Sequence, residues 1–189
     1  MSENNTTGNN SIFPVAFNLV AACFISGLVI GAVYFVTAPV AAQKAEMIKQ
    51  ESMLELVPDA DEFTDVKGKE GWTAAVKNGK IAAYIVPSES KGYGGKIKLL
   101  VAVDTTGKIL DFSLLEHNET PGLGDNAQKP AFRKQFAGKD AAKLTVVKDP
   151  GNKENIQAMT GATITSRAVT KGVKEAAEMV TEFTAKGGK

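Results

Sequence analysis

The sequence predicts an α+β protein, in which a single N-terminal transmembrane helix precedes one domain with a mostly antiparallel sheet and packed helices. Three observations support this fold class. An apolar run occupies residues 12–38, short β-like runs separated by turn residues occupy the middle of the chain, and an amphipathic helical pattern lies near the C-terminus. The apolar run suits a lipid environment, whereas the rest of the chain has the composition of an ordinary globular domain.

The apolar run is also set apart by its lack of charge. Glu3 is the only charged residue before Lys44, so positions 4–43 carry no charge. The run is longer than the roughly 20 apolar residues that span a bilayer as a helix, and no Lys or Arg precedes it as in a secretory signal. We therefore favour a retained membrane anchor. The alternatives are a lipoprotein signal ending at Cys23, a cleaved signal and a buried helix.

The expected organisation has five parts. They are a disordered N-terminus at 1–11, the transmembrane helix at 12–38, a helical stalk at 39–58, the globular domain at 59–184 and a tail at 185–189. The domain is large enough to bury a core without disulfides. Because Lys44 and Lys49 follow the anchor and no Lys or Arg precedes it, the positive-inside rule favours a cytoplasmic domain by two charges.

The stalk is predicted to be helical because residues 39–57 are rich in helix formers and are followed by Pro58. Beyond it, the β-like runs form two predicted hairpins. Strands at 72–76 and 81–86 are joined by the two-residue turn Asn78-Gly79, which favours a tight hairpin. Strands at 97–103 and 109–115 are joined by the turn sequence DTTG.

The remaining predicted elements are a loop at 117–125, a short helix at 130–136, a strand at 144–147 and a final helix at 166–184. The final helix places its apolar side chains on one face, which is typical of a helix that packs on a sheet. These side chains are Ala168, Val169, Val173, Ala176, Ala177, Val180 and Phe183.

The composition excludes several functions. One Cys and one His cannot supply the ligands of a structural zinc site or an iron–sulfur cluster, so we expect no metal site. The net charge is +1 with acids and bases interspersed, which argues against nucleic-acid binding. As the sole imidazole, His117 invites a catalytic role, but a structural role at a strand end is the favoured interpretation.

Three loops rich in small residues are the candidate binding segments: Gly92–Gly95, Glu119–Gly124 and Thr160–Ser166. Each adjoins a predicted strand or helix, where a rigid scaffold presents loops to ligands, although plain turns have the same composition. The third loop is the most informative, because it opens the final helix. Thr165 or Ser166 is expected to cap this helix, and its first turn can bind an anion such as phosphate.

Two motifs carry a family resemblance. They are the run GYGGKIKLLVAVDTTGKILDFSLLEHNETPGLGD at 92–125 and the run TGATITSRAV at 160–169. Together they resemble the FMN-binding domain shared by the G subunit of the Rnf-type electron transport complex and the C subunit of sodium-translocating NADH:quinone reductase. The resemblance covers roughly residues 40–184, and the single N-terminal span is also the family's layout. The length of this chain is closer to that of the shorter, Rnf-type protein.

The resemblance implies covalently bound FMN. In such proteins a flavin transferase moves FMN from FAD onto the Thr that closes the motif [ST]-G-A-T, which here is Thr163. One departure is that many members have Asp where this chain has Gln157, which puts the affinity for the transferase in doubt. The other cofactor-binding residues that the resemblance implies are Tyr93, Gly94, Glu119, Thr120, Gly122, Leu123, Thr160, Gly161, Ala162, Ile164 and Thr165.

The implied function is a membrane-anchored flavoprotein subunit that relays electrons within an ion-translocating ferredoxin:NAD oxidoreductase complex, with no complete reaction expected from this chain alone. Its expected partners are the other membrane subunits of the complex and, during maturation, the flavin transferase. The family layout implies the inner (cytoplasmic) membrane with the domain on its outer face, against the count of Lys residues. The alternatives are a component of a sodium-translocating NADH:quinone reductase and a non-redox sensor or scaffold of the same fold.

Overall fold

The computed structural model describes residues 12–149 and 151–188. The predicted disorder of residues 1–11 and the last residue of the predicted tail therefore lie outside the described residues. By its contacts the chain divides into two units, Met1–Ala45 and Glu46–Lys189. The boundaries predicted at 58/59 and 184/185 stay predictions.

The N-terminal helix, α1, runs from Ile12 to Leu56 and continues through Pro39. The predicted anchor and the predicted stalk are thus consecutive parts of one helix. The mean hydropathy of its most apolar 18-residue window is 2.4, and no part of that window is buried. Within the part of the chain that the structure describes, α1 is the one helix long and apolar enough to cross a membrane.

The second unit is built on a five-stranded antiparallel meander, in the order β1-β2-β3-β4-β5. The mostly antiparallel sheet that the sequence predicts is confirmed, but β1 was not predicted and β3 is twice as long as expected. β3 continues past Pro87 because β2 pairs with it only as far as Ile85. Pro87 therefore needs no N–H donor on that side. The strands are β1 (Glu62–Asp65), β2 (Thr73–Lys77), β3 (Lys80–Lys91), β4 (Lys96–Asp104) and β5 (Ile109–Glu116).

The two predicted hairpins are joined into one meander by the segment Gly92–Gly95, in which the Gly92 N–H donates to the Gly95 carbonyl at 2.7 Å. Asn78 and Gly79 have φ angles of 52° and 71°, as a type I′ hairpin turn requires. In the DTTG turn, the Asp104 carboxylate accepts hydrogen bonds from the N–H groups of Thr106 and Lys108.

Several short elements connect β5 to the last helix. They are a 3₁₀ helix at Gly124–Gln128, the one-turn helix α2 (Pro130–Arg133), a 3₁₀ helix at Ala141–Lys143, and the parallel strands β6 (Val146–Val147) and β7 (Ile156–Gln157). The predicted helix at 130–136 and the predicted strand at 144–147 are both shorter than expected, and β7 was not predicted. Two-residue strands are too short to show a period in the sequence.

The last helix, α3, runs from Thr163 to Ala185 and packs on one face of the sheet. The predicted apolar face is confirmed, since all its residues are buried except Phe183, which is partly buried. The opposite face of the sheet is covered by the C-terminal end of α1 together with Val57. There Arg133, which is largely buried, binds both Glu55 and Asp111.

The predicted start and cap of α3 are wrong. The helix begins three residues earlier than expected, its N-cap residue is Ala162, and no side chain caps it. The hydroxyls of Thr165 and Ser166 lie inside the first turn, where Thr165 donates to the Glu119 carboxylate and Ser166 donates to the Ala162 carbonyl at 2.9 Å. The sequence pattern suggested caps because Thr and Ser are common at that position.

Candidate functional site

A cavity of about 680 Å³ lies at the N-terminal end of α3. Four segments line it: the β3–β4 turn, the loop that follows β5, the segment just after β6, and the start of α3. We call this cavity the cleft. Its lining residues are Tyr93, Glu119, Thr120, Leu123, Gly124, Lys148, Gly161, Ala162, Thr163, Ile164 and Thr165.

The turn that leads into α3 is held by local hydrogen bonds. Gly161 has a φ angle of +76°, a conformation that residues with a Cβ rarely adopt. The Ala162 N–H donates to the Met159 carbonyl at 3.1 Å, and the Met159 N–H donates to the Ser166 hydroxyl at 3.0 Å. These contacts fix the backbone just before the first turn of α3.

The first turn of α3 presents unpaired donors. The backbone N–H groups of Thr163, Ile164 and Thr165 make no hydrogen bond to any group in the described part of the chain. Such groups, together with the helix dipole, favour an anion. Lys148, an exposed residue that follows β6, adds a positive charge to the cleft, and its ammonium has no ion-pair partner among residues 12–149 and 151–188. The start of α3 is therefore suited to a phosphate group.

Four hydroxyl groups lie near this turn, and they differ in burial, in hydrogen bonding and in whether they line the cleft. Those of Thr165 and Ser166 belong to buried residues and donate hydrogen bonds. Thr160 is exposed but lies outside the cleft, in a separate groove beside Lys129 and Phe132. Thr163 lines the cleft, is partly exposed, and has no hydrogen-bond partner for its hydroxyl within the described ranges.

A buried carboxylate forms part of the cleft wall. Glu119 is 5% exposed, and its Oε1 accepts a hydrogen bond from the Gly94 N–H at 3.0 Å, while Oε2 accepts one from Thr165. The Glu119 N–H donates to Nδ1 of His117 at 3.3 Å, and the other ring nitrogen of His117 lies 2.6 Å from the Gln128 side-chain nitrogen. His117 thus holds the loop, which agrees with the structural role favoured from the sequence.

Gly124 allows this packing because a side chain there would not fit. An added Cβ would lie 2.8 Å from the Cβ and Oε2 atoms of Glu119 and 2.8 Å from the Thr165 hydroxyl. Such a separation is closer than real Cβ contacts, so one of the neighbours would have to move. The last Gly of the ETPGLG run is therefore required for close approach rather than for a turn.

Part of the cleft lining is apolar. It includes Tyr93, Leu123 and Ile164, whose exposed fractions are 71%, 42% and 54%. Large apolar side chains that stay this exposed around a cavity are typical of a ligand site. The cleft thus combines unpaired donors at the start of α3 with exposed apolar side chains, which suits a ligand with a phosphate and a flat aromatic ring.

The structure brings together nine of the twelve predicted site residues in the cleft lining; the other three are Gly94, Gly122 and Thr160. Gly94 lies behind the wall, where it donates to Glu119, and Gly122 forms a turn whose carbonyl accepts from the Asn126 side chain at 2.8 Å. The predicted cofactor-binding residues omit Gly124, although it ends the candidate segment Glu119–Gly124, and Lys148, for which the sequence offers no signal.

One aromatic and one basic side chain that could serve a flavin or its phosphate lie outside the cleft lining. Trp72 packs in the core against Tyr84 and Phe183, and Arg167 is exposed on α3. Gln157, which departs from the family pattern, lies in β7. Its N–H donates to the Gln135 side chain at 2.7 Å, and its own Oε1 is buried without a hydrogen-bond partner among the described residues.

Comparison with known proteins identifies the family. The family model of the FMN-binding domain matches residues 92–178. The G subunit of the proton-translocating ferredoxin:NAD(+) oxidoreductase complex of Clostridium ljungdahlii is 63% identical over 180 residues, which cover 95% of this chain and 96% of that protein. The G subunit of the ion-translocating oxidoreductase complex of Methanosarcina acetivorans is 30% identical over 143 residues, or 70% of this chain and 74% of that protein.

A solved structure has a related fold. The crystal structure of the C subunit of the Na(+)-translocating NADH-quinone reductase from Parabacteroides distasonis matches with a TM-score of 0.51 and 26% identity, over 60% of this chain and 62% of that chain. The match to the Clostridium protein extends over nearly the whole of both chains, and the family model spans all the residues that line the cleft. The chain therefore belongs to the G-subunit family of ion-translocating oxidoreductase complexes and contains an FMN-binding domain.

Proposed function

We propose that this chain is the electron-relay subunit of an ion-translocating ferredoxin:NAD oxidoreductase complex, and that it holds FMN covalently through a phosphoester at Thr163. The observation that carries the covalent assignment is the state of the hydroxyl groups around the start of α3. Thr163 alone among them combines a place in the cleft lining, partial exposure and a hydroxyl without a partner in the described structure.

The attachment reaction needs few groups from the protein. The Thr163 Oγ–P bond forms, the bond between the two phosphates of FAD breaks, AMP leaves, and the hydroxyl proton is released. The remaining phosphodiester carries one negative charge. The unpaired N–H groups of the first turn of α3 and the ammonium of Lys148 stabilise that charge.

The residues present fit FMN. The cleft volume of about 680 Å³ lies within the range of roughly 300–1,000 Å³ that is usual for ligand sites. Tyr93, Leu123 and Ile164 would cover the apolar ring, while Glu119 and Thr120 would lie along the wall. When bound, FMN supplies reversible electron transfer, and a covalent bond keeps it where free FMN is scarce. The protein's contribution is to hold, orient and partly shield the group.

Denaturing gel fluorescence tests the attachment. The full chain is produced with a flavin transferase, and we expect a fluorescent band for the wild type and none for Thr163→Val. Thr181→Val is the matched control and should keep its band, because Thr181 is an exposed residue near the C-terminal end of α3 and lies outside the cleft. Mass spectrometry of the peptide that contains Thr163 should find the added FMN. A wild-type chain without a fluorescent band, or a band that survives Thr163→Val, would contradict the proposal.

An absorbance spectrum separates the relay function from the non-redox alternative. The purified full chain should show a flavin band that bleaches with dithionite, whereas a sensor or scaffold of the same fold would show none. Of the two redox assignments, the ferredoxin:NAD oxidoreductase complex is favoured because the Clostridium relative matches over nearly its whole length. The other membrane subunits of the complex are therefore the proposed partners, and the flavin transferase is the proposed partner during maturation.

We also propose that the chain spans the inner (cytoplasmic) membrane once, with the FMN-binding domain on the outer face. Helix α1 has the length and hydropathy of a membrane span. Lys44 and Lys49 favour the opposite orientation, but only by two charges. Protease added to whole spheroplasts should digest the domain. A protected domain would place it in the cytoplasm and overturn this orientation.

A further inference from the structure

Glu119 links three of the four segments that line the cleft. Its main chain belongs to the loop after β5, its Oε1 accepts from Gly94 in the β3–β4 turn, and its Oε2 accepts from Thr165 in the first turn of α3. One side chain therefore links three segments that are far apart in sequence. We call this set of contacts the Glu119 clamp.

A buried carboxylate is costly unless hydrogen bonds compensate its charge. Glu119 is 5% exposed and has no ion-pair partner within residues 12–149 and 151–188. Its compensation comes from the two hydrogen bonds of the clamp, and bonds to an ionised acceptor are stronger than those between neutral groups. If either donor moved away, a buried charge would lose part of its compensation. The clamp therefore favours one arrangement of the three segments.

The clamp also determines the direction of Thr163. Successive residues of an α-helix are rotated by about 100°, so the direction of the Thr165 side chain fixes that of Thr163 two residues earlier. Because Thr165 is 2% exposed and bonded to Glu119, rotation of the first turn about the helix axis would break a buried contact. Fixing Thr165 thereby leaves the Thr163 hydroxyl in the cleft lining.

We propose that Glu119 is the positioning residue for flavin attachment: through Thr165 and Gly94 it holds the cleft in the form that presents Thr163 to the transferase. This inference rests on the proposed function, because it concerns the same site. It assigns Glu119 a role in holding the protein segments, beyond its place in the lining of the pocket.

The test compares variants of the full chain produced with the transferase, using in-gel flavin fluorescence per unit of protein. Glu119→Ala should reduce loading about tenfold or more, because both charge-assisted hydrogen bonds are lost. Thr165→Val should also reduce loading, whereas Thr165→Ser, which keeps the hydroxyl, should load like the wild type. Glu116→Gln is the matched control, since Glu116 is an exposed carboxylate at the end of β5 that pairs with Lys98.

Two further measurements separate positioning from a general loss of structure. The double variant Glu119→Ala/Thr165→Val should load no worse than Glu119→Ala alone, because partners in one contact are not additive. Hydrogen exchange should speed up at the Gly94 amide in Glu119→Ala but remain slow in the core strand β4. If Glu119→Ala does not fold, the pair Thr165→Val and Thr165→Ser still tests the clamp.

Each outcome bears on one proposal. A folded Glu119→Ala that loads like the wild type, or a Thr165→Ser that loads as poorly as Thr165→Val, would overturn the clamp and leave the phosphoester at Thr163 in place. A wild-type chain that takes up no flavin would overturn the proposed function instead. Loss of loading in Glu119→Ala and Thr165→Val, together with normal loading in Thr165→Ser and Glu116→Gln, would support the clamp.

Discussion

The two ends of α3 lie on the same sheet but are built from different kinds of residue. Around its N-terminal end are glycine-rich loops, an uncapped first turn and exposed apolar side chains. Near its C-terminal end, Phe183 packs edge-on against Trp72 and Tyr84, with ring centroids 5.5 and 5.6 Å apart. The ammonium of Lys69 lies 5.2 Å from the Trp72 ring centroid.

The contrast shows how one helix serves two purposes. Interlocked aromatic rings stabilise the fold through apolar burial and edge-to-face contacts. Burial there also raises the pKa of the Tyr84 hydroxyl. The other end leaves donors unpaired and apolar groups exposed, which costs stability and makes sense only if a ligand covers them. Substitutions at the aromatic end should therefore change stability, and those at the cleft should change flavin loading.

The largest expected effect on stability is at Trp72, which is 5% exposed. Trp72→Ala should lower the free energy of unfolding by about 3–4 kcal/mol, because a large buried ring is replaced by a cavity. Urea denaturation of the full chain in detergent measures it. Flavin fluorescence per folded molecule should stay at the wild-type level. A loss of flavin in the folded fraction would show that the two ends of α3 are coupled, and would contradict the separation of stability from flavin loading.

An intermediate effect is expected at Gly124. Gly124→Ala places a methyl group 2.8 Å from Glu119 and Thr165, so the contacts behind the cleft must shift. We expect flavin loading to fall about tenfold and stability to fall by about 1–2 kcal/mol, as for overpacked sites. Gly151→Ala is the control, because its nearest neighbour would be an Asp149 side-chain oxygen at 3.3 Å. Equal loading in both variants would contradict the close packing inferred at Gly124.

The smallest effect on stability is expected in the β4–β5 turn. This turn lies at the aromatic end of α3, because its Gly107 faces Thr181. Burial alone would raise the pKa of Asp104, but hydrogen bonds from Thr106 and Lys108 outweigh it and hold the pKa below its usual value. Because the folded-state pKa is depressed, the stabilisation is present above the unfolded pKa of about 3.9 and is lost as the pH falls through the folded pKa.

Asp104→Asn should therefore lower the free energy of unfolding by about 1 kcal/mol at pH 7. This difference from the wild type should shrink below about pH 4. Urea midpoints of both chains at pH 7, 4 and 3 measure this. Asp59→Asn serves as the control, because its ion pair with Lys77 is exposed and worth little. If the stability difference between Asp104→Asn and the wild type were the same at all three pH values, ionisation of the Asp104 carboxylate would not be its cause. Flavin loading should not change.

Local sequence patterns predicted much of the fold. The short β-like runs and the Asn78-Gly79 turn predicted the central strands, and the spacing from Ala168 to Phe183 predicted the buried face of α3. The elements that were missed or shortened are β1, β6, β7 and α2. They span two to four residues each, and so few residues carry no readable period.

Part of the candidate site could be predicted from the sequence. Its motifs could be found because the glycines and threonines of the two quoted runs are close together in sequence. Lys148 could not be found, since it reaches the cleft only through the pairing of β6 with β7. The hydrogen bond between Glu119 and Thr165 joins residues 46 positions apart, so no local pattern reports it.

The sequence by itself determined the long apolar N-terminal run, the two central hairpins, the amphipathic face of α3 and the motifs of an FMN-binding domain, because each depends on composition or short-range spacing. Only the tertiary structure decided which hydroxyls at the start of α3 are used internally and which is left without a partner in the cleft lining. It buries Thr165 against Glu119 and leaves Thr163 partly exposed in the cleft lining. The physical reason is that burial and hydrogen-bond partners are set by segments that meet only when the chain folds.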